Sequence, residues 1–289
     1  MNTRISTDSF KQRLQSINNL PTLPSVIAKM TELLQNPSTS AEEVGQAIKS
    51  DQALASKVLK LVNSAFYGFP GRIGTITHAV VILGFSTVKN IVLTASILDA
   101  FRNKPVDEKV FNPENFWIHS IACGAAAQCI ARTLGSSEKE ECFIAGLIHD
   151  IGKIILYQYM PEEFIRTIRK SNQDEKLFFE SERELFEITH QEIGSELARL
   201  WHLPPHLNNA VAYHHHPSTK RDGYTVTSIV HCADIFVRAL DYGNGGDNKI
   251  PLICDSVWRN LGLENISLTD LFDNIKDEVE KAEIFFQLA

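Results

Sequence analysis

Apolar residues recur at intervals of three and four positions along nearly the whole chain, which is the spacing of amphipathic helices. One apolar face runs through residues 26–34 and another through residues 271–285. Polar residues suited to begin a helix precede several such stretches. Ser40-x-x-Glu43 fits a capping box, and Asp51 can cap the helix that follows it. The pattern therefore predicts an all-α fold of short, closely spaced helices.

The same signals place four further helix starts. Thr77 is predicted to open one helix, and Ser86 is predicted to cap the next. Asn112-Pro113 starts another, because proline is favoured in a first helical turn. Thr189 reads as an N-cap for the helix after it. Residues 161–188 are more charged, and their pattern is less informative.

The stretch that carries candidate chemistry is Ala-Gly-Leu-Ile-His-Asp-Ile-Gly-Lys at residues 145–153. It sets His149 and Asp150 side by side in an apolar run, so both should be buried. A buried ionised carboxylate is costly unless a positive group pairs with it. A metal ion meets that need, because carboxylate oxygen and imidazole nitrogen are both good ligands. The alternative is that the two residues hydrogen-bond each other or cap a helix.

Other candidate site residues favour the metal, because they fall at organised places on both sides of this stretch. His119 lies upstream, on a predicted helix with a small-residue face at residues 124–127 that would let another helix approach closely. The downstream candidates are Lys153, His190, His214, His215 and Asp234.

Composition narrows the class of protein. The 289 residues are 44% hydrophobic and 22% charged, which is ordinary for a soluble globular protein. The net charge is −7 and no Lys/Arg cluster stands out, so no nucleic-acid-binding face is indicated. Five scattered cysteines without CxxC spacing argue for reduced thiols and a cytoplasmic location. Residues 1–10 lack an apolar signal core and no window approaches ~18 apolar residues, so no membrane association is expected.

The run His149-Asp150-x-Gly152-Lys153 resembles the motif of the HD superfamily of metal-dependent phosphohydrolases. The flanking sequence resembles its HDOD branch, through Leu20-Pro-x-Leu-Pro24, Asn63-Ser64-Ala65 and Leu83-Gly84 among others. The resemblance implies an N-terminal helical layer packed on an HD-type helical domain. We expect an HDOD helical subdomain at residues 1–105, an HD-like metal-binding subdomain at 106–245, and C-terminal helices at 246–289. No flexible Gly/Ser linker separates the first two.

The resemblance also implies a role for each candidate residue. His119, His149 and Asp234 would hold one metal, and Asp150 would bridge two. His190, His214 and His215 would hold the second metal, while Lys153 would contact a phosphate or a bridging water. Asp150 and Lys153 are therefore the candidate catalytic residues. A set dominated by imidazole favours one or two Fe, Mn, Ni or Zn ions over Mg or Ca.

Two departures from the wider superfamily shape the functional expectation. The Gly-Tyr-Pro motif of the cyclic-dinucleotide branch does not follow the His-His pair, where the sequence reads His216-Pro217-Ser218. Position 115 is Asn, whereas some trinuclear relatives have Glu there.

Three classes of function stay open. The first is a signalling output or regulatory protein that recognises a protein partner. The second is a phosphohydrolase or phosphodiesterase acting on a nucleotide or cyclic dinucleotide, and the third is a metal or redox sensor.

Overall fold

The computed structural model of the protein describes residues 20–36, 38–101, 111–186 and 188–288. Within these ranges the regular elements are helical and no residue lies in a β-strand, so the all-α prediction is confirmed. The helices, in chain order, are α1 Ser25–Gln35, α2 Ala41–Lys49, α3 Gln52–Val62, α4 Ile76–Leu83, α5 Phe85–Phe101, α6 Pro113–Thr133, α7 Lys139–Ile148, α8 Ile151–Tyr159, α9 Pro161–Asp174, α10 Phe178–Leu185, α11 His190–Leu200, α12 Pro205–Tyr213, α13 Tyr224–Ala239, α14 Asp255–Asn260, α15 Leu268–Lys281 and α16 Glu283–Phe286, with a 3₁₀ turn at Leu263–Asn265.

The described residues fall into two compact units. One comprises residues 21–101 and 280–288, and the other comprises residues 111–279. The predicted boundary at residue 105 lies outside the described residues, and the division into 1–105, 106–245 and 246–289 stays a prediction. Among the helices that the structure describes, none combines the length and apolar character needed to cross a lipid bilayer.

In the unit that contains residues 21–101, side chains satisfy the first amide groups of α2 and α3 as expected. The Ser40 hydroxyl accepts from the Glu43 N–H at 3.2 Å, and the Glu43 carboxylate accepts from the Ser40 N–H at 2.8 Å. The Asp51 carboxylate accepts from the Leu54 N–H at 3.0 Å. The predicted capping box and the predicted Asp51 cap are therefore confirmed.

Two predicted helix starts in this unit were wrong by one or two residues. Helix α4 begins at Ile76 because the Thr75 hydroxyl, and not that of Thr77, accepts the amide of His78 at 3.1 Å. Helix α5 begins at Phe85, so Ser86 lies within its first turn. The carbonyl of Gly84 already accepts from the Val88 N–H at 3.2 Å, which leaves no place for a separate cap at Ser86.

In the unit that contains residues 111–279, helices α6, α7 and α13 pack against one another. Helix α6 begins where the Asn112 side chain accepts from the Asn115 N–H, as predicted. Two glycines let α6 and α7 approach closely. A Cβ atom at Gly124 would lie 2.8 Å from the Phe143 carbonyl oxygen, and one at Gly146 would lie 2.7 Å from the Cys123 carbonyl oxygen. The expected small-residue face of α6 therefore sets the spacing of this helix pair.

A second close approach joins α8 to α11. A Cβ atom at Gly152 would lie 1.9 Å from the carbonyl oxygen of His190, so only glycine fits at this crossing. The stretch 161–188, whose pattern was less informative, contains α9 and α10. The buried rings of Phe164 and Phe178 pack together and join α10 to α9, which packs beside α8. This packing brings α10 next to the start of α11.

Candidate metal centre

The structure brings together all seven residues that were predicted as metal ligands. They form two adjoining groups, in each of which the potential ligand atoms lie within 4.8 Å of one another. The first group contains His119 of α6, His149 after α7, and Asp234 of α13. The second group consists of Asp150, His190, His214 and His215. Each of the seven residues is buried, with 7% exposure or less.

The Asp150 carboxylate belongs to the second group and also faces the first. Its Oδ2 is 3.3 Å from Nε2 of His149 and 3.9 Å from Nε2 of His119. Its Oδ1 is 3.2 Å from Nε2 of His190 and 3.6 Å from Nε2 of His214. Each oxygen thus faces a different group, which is the placement that a bridging ligand requires. Lys153 donates to Oδ2 at 2.7 Å and is itself fully buried.

Hydrogen bonds fix the protons of three of these imidazoles. His149 Nδ1 lies 2.6 Å from the Gly146 carbonyl oxygen, and His214 Nδ1 lies 2.9 Å from that of Val211. Because a carbonyl oxygen can only accept, each Nδ1 must carry a proton. His190 Nδ1 lies 2.6 Å from a carboxylate oxygen of Glu182 and donates in the same way. In the neutral rings, Nε2 is then an unprotonated acceptor.

The Nε2 atoms of these three rings have no hydrogen-bond partner among the described residues. The unpartnered buried atoms include Asp150 Oδ1 and the Nε2 atoms of His119, His149, His190, His214 and His215. Lone pairs of imidazole and carboxylate that face each other in a buried space repel unless a cation lies between them. The donor set therefore fits a divalent metal, and these His/Asp groups are able to hold one.

The electrostatics of the centre favour the ligand forms of Asp150, His214 and His215, but not those of His149 and His190. Burial lowers the pKa of both His149 and His190, but Asp150 outweighs it at His149 and Glu182 outweighs it at His190, so both pKa values are raised and a metal ion would have to displace the added protons. Burial raises the pKa of the Asp150 carboxyl, but Lys153 and His149 outweigh it and hold that pKa well below its usual range. Burial lowers the pKa of His214 to about 4 and that of His215 well below its usual value. At neutral pH the carboxylate is therefore ionised and these two imidazoles are neutral, which are the forms that bind metals.

Two charged residues of the centre were missed by the sequence analysis. The Arg238 guanidinium donates from Nε to Asp234 Oδ1 at 2.7 Å and from Nη1 to Asp247 Oδ1 at 2.9 Å. Its place one turn after Asp234 in α13 is a signal that could have revealed it. Glu182 binds His190, and no local sequence pattern marks it. Both side chains are largely or fully buried and hold ligands in place.

Residues 241–247, here called the cover loop, close over the centre. Gly243 has φ of +66°, and a Cβ atom there would lie 2.5 Å from the backbone nitrogen of His119. A Cβ atom at Gly245 would lie 3.1 Å from Asp150 Oδ2 and 3.3 Å from Arg238 Nη2. The Asn244 N–H donates to the Asn115 carbonyl at 3.0 Å. The cover loop therefore lies directly against ligands of both groups.

The remaining histidines of this unit lie outside both groups. His231 donates from Nδ1 to the His214 carbonyl at 2.7 Å, and its Nε2 accepts from the Cys254 N–H at 3.1 Å. Its two ring nitrogens are thus satisfied, and it supports His214 rather than joining the ligand groups. His202 and His216 are exposed, and His206 is half-buried.

An all-helical scaffold with two adjoining His/Asp groups agrees with the family resemblance carried by the sequence. The chain belongs to the HDOD domain family, whose sequence model matches residues 20–217. The resemblance of the chain to the HDOD branch is therefore confirmed.

Comparison with known proteins supports the fold. A crystal structure of an HDOD domain protein of unknown function from Geobacter sulfurreducens is 23% identical, with a TM-score of 0.78, and covers 95% of this chain and 98% of that one. A "Putative phosphohydrolase" from Shewanella amazonensis SB2B is 26% identical, with a TM-score of 0.72, covering 96% and 98%. An uncharacterized protein from Treponema pallidum (strain Nichols) is 26% identical over 245 residues, which are 84% of this chain. The chain spans about half the length of that relative, 47%.

Proposed function

We propose that the protein is a metal-binding regulatory component of a signalling system. The observation that carries this proposal is the set of buried, unpartnered imidazole nitrogens around Asp150. A purely structural polar network would satisfy these atoms by pairing donors with acceptors. Here the hydrogen bonds at Nδ1 leave acceptors facing acceptors, which is the arrangement that a cation stabilises.

The proposed ions are one or two of Fe, Mn, Ni or Zn. Imidazole nitrogen dominates both groups, and it suits these metals better than Mg or Ca, which prefer all-oxygen sites. When bound, such an ion supplies Lewis acidity toward water or a phosphoryl oxygen. His119, His149 and Asp234 would hold one ion, His190, His214 and His215 the other, and Asp150 both.

The burial of the centre favours a regulatory role over catalytic turnover. Lys153 is fully buried and bound to Asp150, and its ammonium lies 5.2 Å from the Phe178 ring centroid. The cover loop lies against Asp150, where a Cβ atom at Gly245 would be 3.1 Å from Oδ2. Signalling is the role that the HDOD resemblance implies, with a protein as the partner. The five cysteines are free thiols, which supports the cytoplasm as the proposed location.

Phosphohydrolysis is the second candidate. The observation that favours it is the contact of Lys153 with the carboxylate that faces both groups, because this places a cation where a phosphate could be received. The Shewanella amazonensis protein named above carries a phosphohydrolase name, and it is similar to this chain over nearly its whole length. Under this candidate the substrate would be a nucleotide or another phosphodiester, and the cover loop would have to open.

The test is elemental analysis of protein purified without an affinity tag, with melting temperatures measured with and without a chelator. We expect bound transition metal and a lower melting temperature after chelation, since lost metal binding is lost folding free energy. His215→Ala should reduce the metal content, whereas His78→Ala, which alters an exposed histidine outside both groups, should not. Absence of metal after supplementation, together with no chelator effect, would contradict the proposal. A nucleotide hydrolysis panel on the loaded protein then separates the two candidates.

A further inference from the structure

Glu182 is a buried carboxylate whose hydrogen bonds both go to one histidine. It lies in α10, is 0% exposed, and belongs to neither ligand group. One of its oxygens accepts from the ring Nδ1 of His190 at 2.6 Å, and the other accepts from the backbone N–H of His190 at 2.9 Å. A charged side chain this deeply buried needs partners of this kind, and both of its contacts go to a single residue.

The position of His190 in its helix explains why a distant carboxylate is needed. His149 and His214 each follow a helix, and their Nδ1 atoms bind the carbonyl three residues earlier in that helix. His190 is the first residue of α11, so no preceding helical turn offers a carbonyl. Glu182, from a different helix, takes that place and also binds one of the free amides at the start of α11.

The hydrogen bond between Glu182 and His190 sets which ring nitrogen of His190 faces the other ligands of the second group. With its proton held on Nδ1 by the carboxylate, the ring presents Nε2 to Asp150 Oδ1 at 3.2 Å. A carboxylate partner also makes an imidazole a stronger ligand than a carbonyl partner does, because the negative charge raises the basicity of the ring. His190 has this advantage, and His149 and His214 have neutral carbonyl partners.

We infer that Glu182 is a positioning residue for the second group: it fixes the tautomer and orientation of His190 and thereby raises the affinity of that group for a divalent transition metal. The inference rests on the proposed metal-binding function. Glu182 acts through His190 and makes no contact with the metal itself.

The test compares Glu182→Gln with a matched control, Glu278→Gln, using zinc ions alone as the probe. Glutamine keeps the shape of the side chain but carries no charge, and an NH₂ donor replaces one of the two acceptor oxygens, so it cannot accept from both N–H groups of His190 in the same geometry. Glu278 is also buried, at 5% exposed, but its carboxylate pairs with Arg132 away from both ligand groups. Zinc affinity is measured by competition with a chromophoric chelator, and the histidine rings are followed by long-range ¹H–¹⁵N correlation spectra.

We expect Glu182→Gln to weaken zinc binding at the second group by about 10–100-fold, which is the usual effect of losing such a partner. The affinity of the first group should change little, and Glu278→Gln should leave both affinities as in the wild type. In wild-type protein the His190 ring should show a protonated Nδ1 with a strongly shifted proton signal, lost in Glu182→Gln. Equal zinc affinities in a folded Glu182→Gln protein and the wild type would overturn the inference.

The tautomer measurement keeps the inference testable if the variant does not fold. A wild-type, zinc-loaded protein in which His190 Nδ1 carries no proton would overturn it without any substitution. A wild-type chain that binds no zinc at all would instead refute the proposed metal-binding function, and the inference with it. Wild-type binding that Glu182→Gln reproduces would refute the inference alone.

Discussion

Replacing Gly152 with alanine would put a methyl carbon in contact with the backbone of the neighbouring helix. The added Cβ would lie 1.9 Å from the carbonyl oxygen of His190 and 2.8 Å from the backbone nitrogen of Gly194. An ordinary contact between these atoms is about 3.5 Å, so α8 and α11 would have to separate by roughly 1.5 Å. No side chain can rotate to make room, because the opposing atoms belong to the backbone.

The cost can be estimated from this displacement. Overpacking a well-packed core costs about 1–3 kcal/mol, and a clash between two backbones belongs at the upper end of that range. A loss of about 3 kcal/mol corresponds to a fall of about 6–12 °C in melting temperature for a unit of this size. The shift would also move Asp150 away from His190. We therefore expect Gly152→Ala to lose metal from the second group as well as stability.

The assay is thermal unfolding with elemental analysis of the same samples. Gly74→Ala is the matched control, since a Cβ atom there would meet nothing within 4 Å and its backbone conformation suits an alanine. It should stay within about 0.5 kcal/mol of the wild type. The close approach of α8 and α11 would be refuted by a Gly152→Ala protein that melts like the Gly74→Ala protein and keeps its full metal content.

Four further results are expected. Asp150→Ala should strip metal from both groups and leave the Lys153 ammonium buried without its partner, costing about 3–5 kcal/mol in unfolding measurements; adding Lys153→Met should restore part of the stability but none of the metal. Metal-loaded wild-type protein should show little or no hydrolysis of cyclic di-GMP, because the Gly-Tyr-Pro motif is missing, and robust hydrolysis that Asp150→Ala abolishes would place the protein among the phosphodiesterases. Asp51→Ala should destabilise its unit by about 1 kcal/mol through loss of the α3 cap, as measured by denaturant titration against the exposed control Asp99→Ala. Limited proteolysis should not release two independently stable fragments near residue 105, and release of such fragments would contradict the predicted packing of residues 1–105 on the rest of the chain.

Features set by neighbouring residues could be predicted from the sequence, and features set by distant residues could not. The caps at Ser40, Asp51 and Asn112 depend on a side chain and an amide three residues apart, so the sequence pattern identified them. The helix start at Thr75 was missed because two threonines two residues apart compete for the same role. The choice between them depends on backbone geometry that the pattern does not contain.

The candidate site shows the same division. The seven ligand candidates were found because their residue types are unusual in apolar helices and match a family motif. Glu182 was missed because it lies in a charged stretch where one more glutamate carries no signal, and only the packing of α10 against the start of α11 gives it a role. Asp247 was missed because its partners are the amide of Phe178, far away in sequence, and the guanidinium of Arg238. The role of Glu182 as a positioning residue stays a proposal.

The cover loop would affect how fast a bound metal ion exchanges. Under the proposed metal-binding function, an ion held by the two groups would exchange slowly while residues 241–247 stay in place. Releasing this loop requires breaking the Asn244 bond to Asn115 and the two bonds of Asp247 to Arg238 and Phe178. The exchange rate would then depend on the free energy of this local opening as well as on the affinity of the ion for its ligands. A metal captured while the chain folds would stay for as long as the loop stays closed. The metal content of the protein would then record which ion was abundant when the molecule was made, and it would follow later changes in metal supply only slowly.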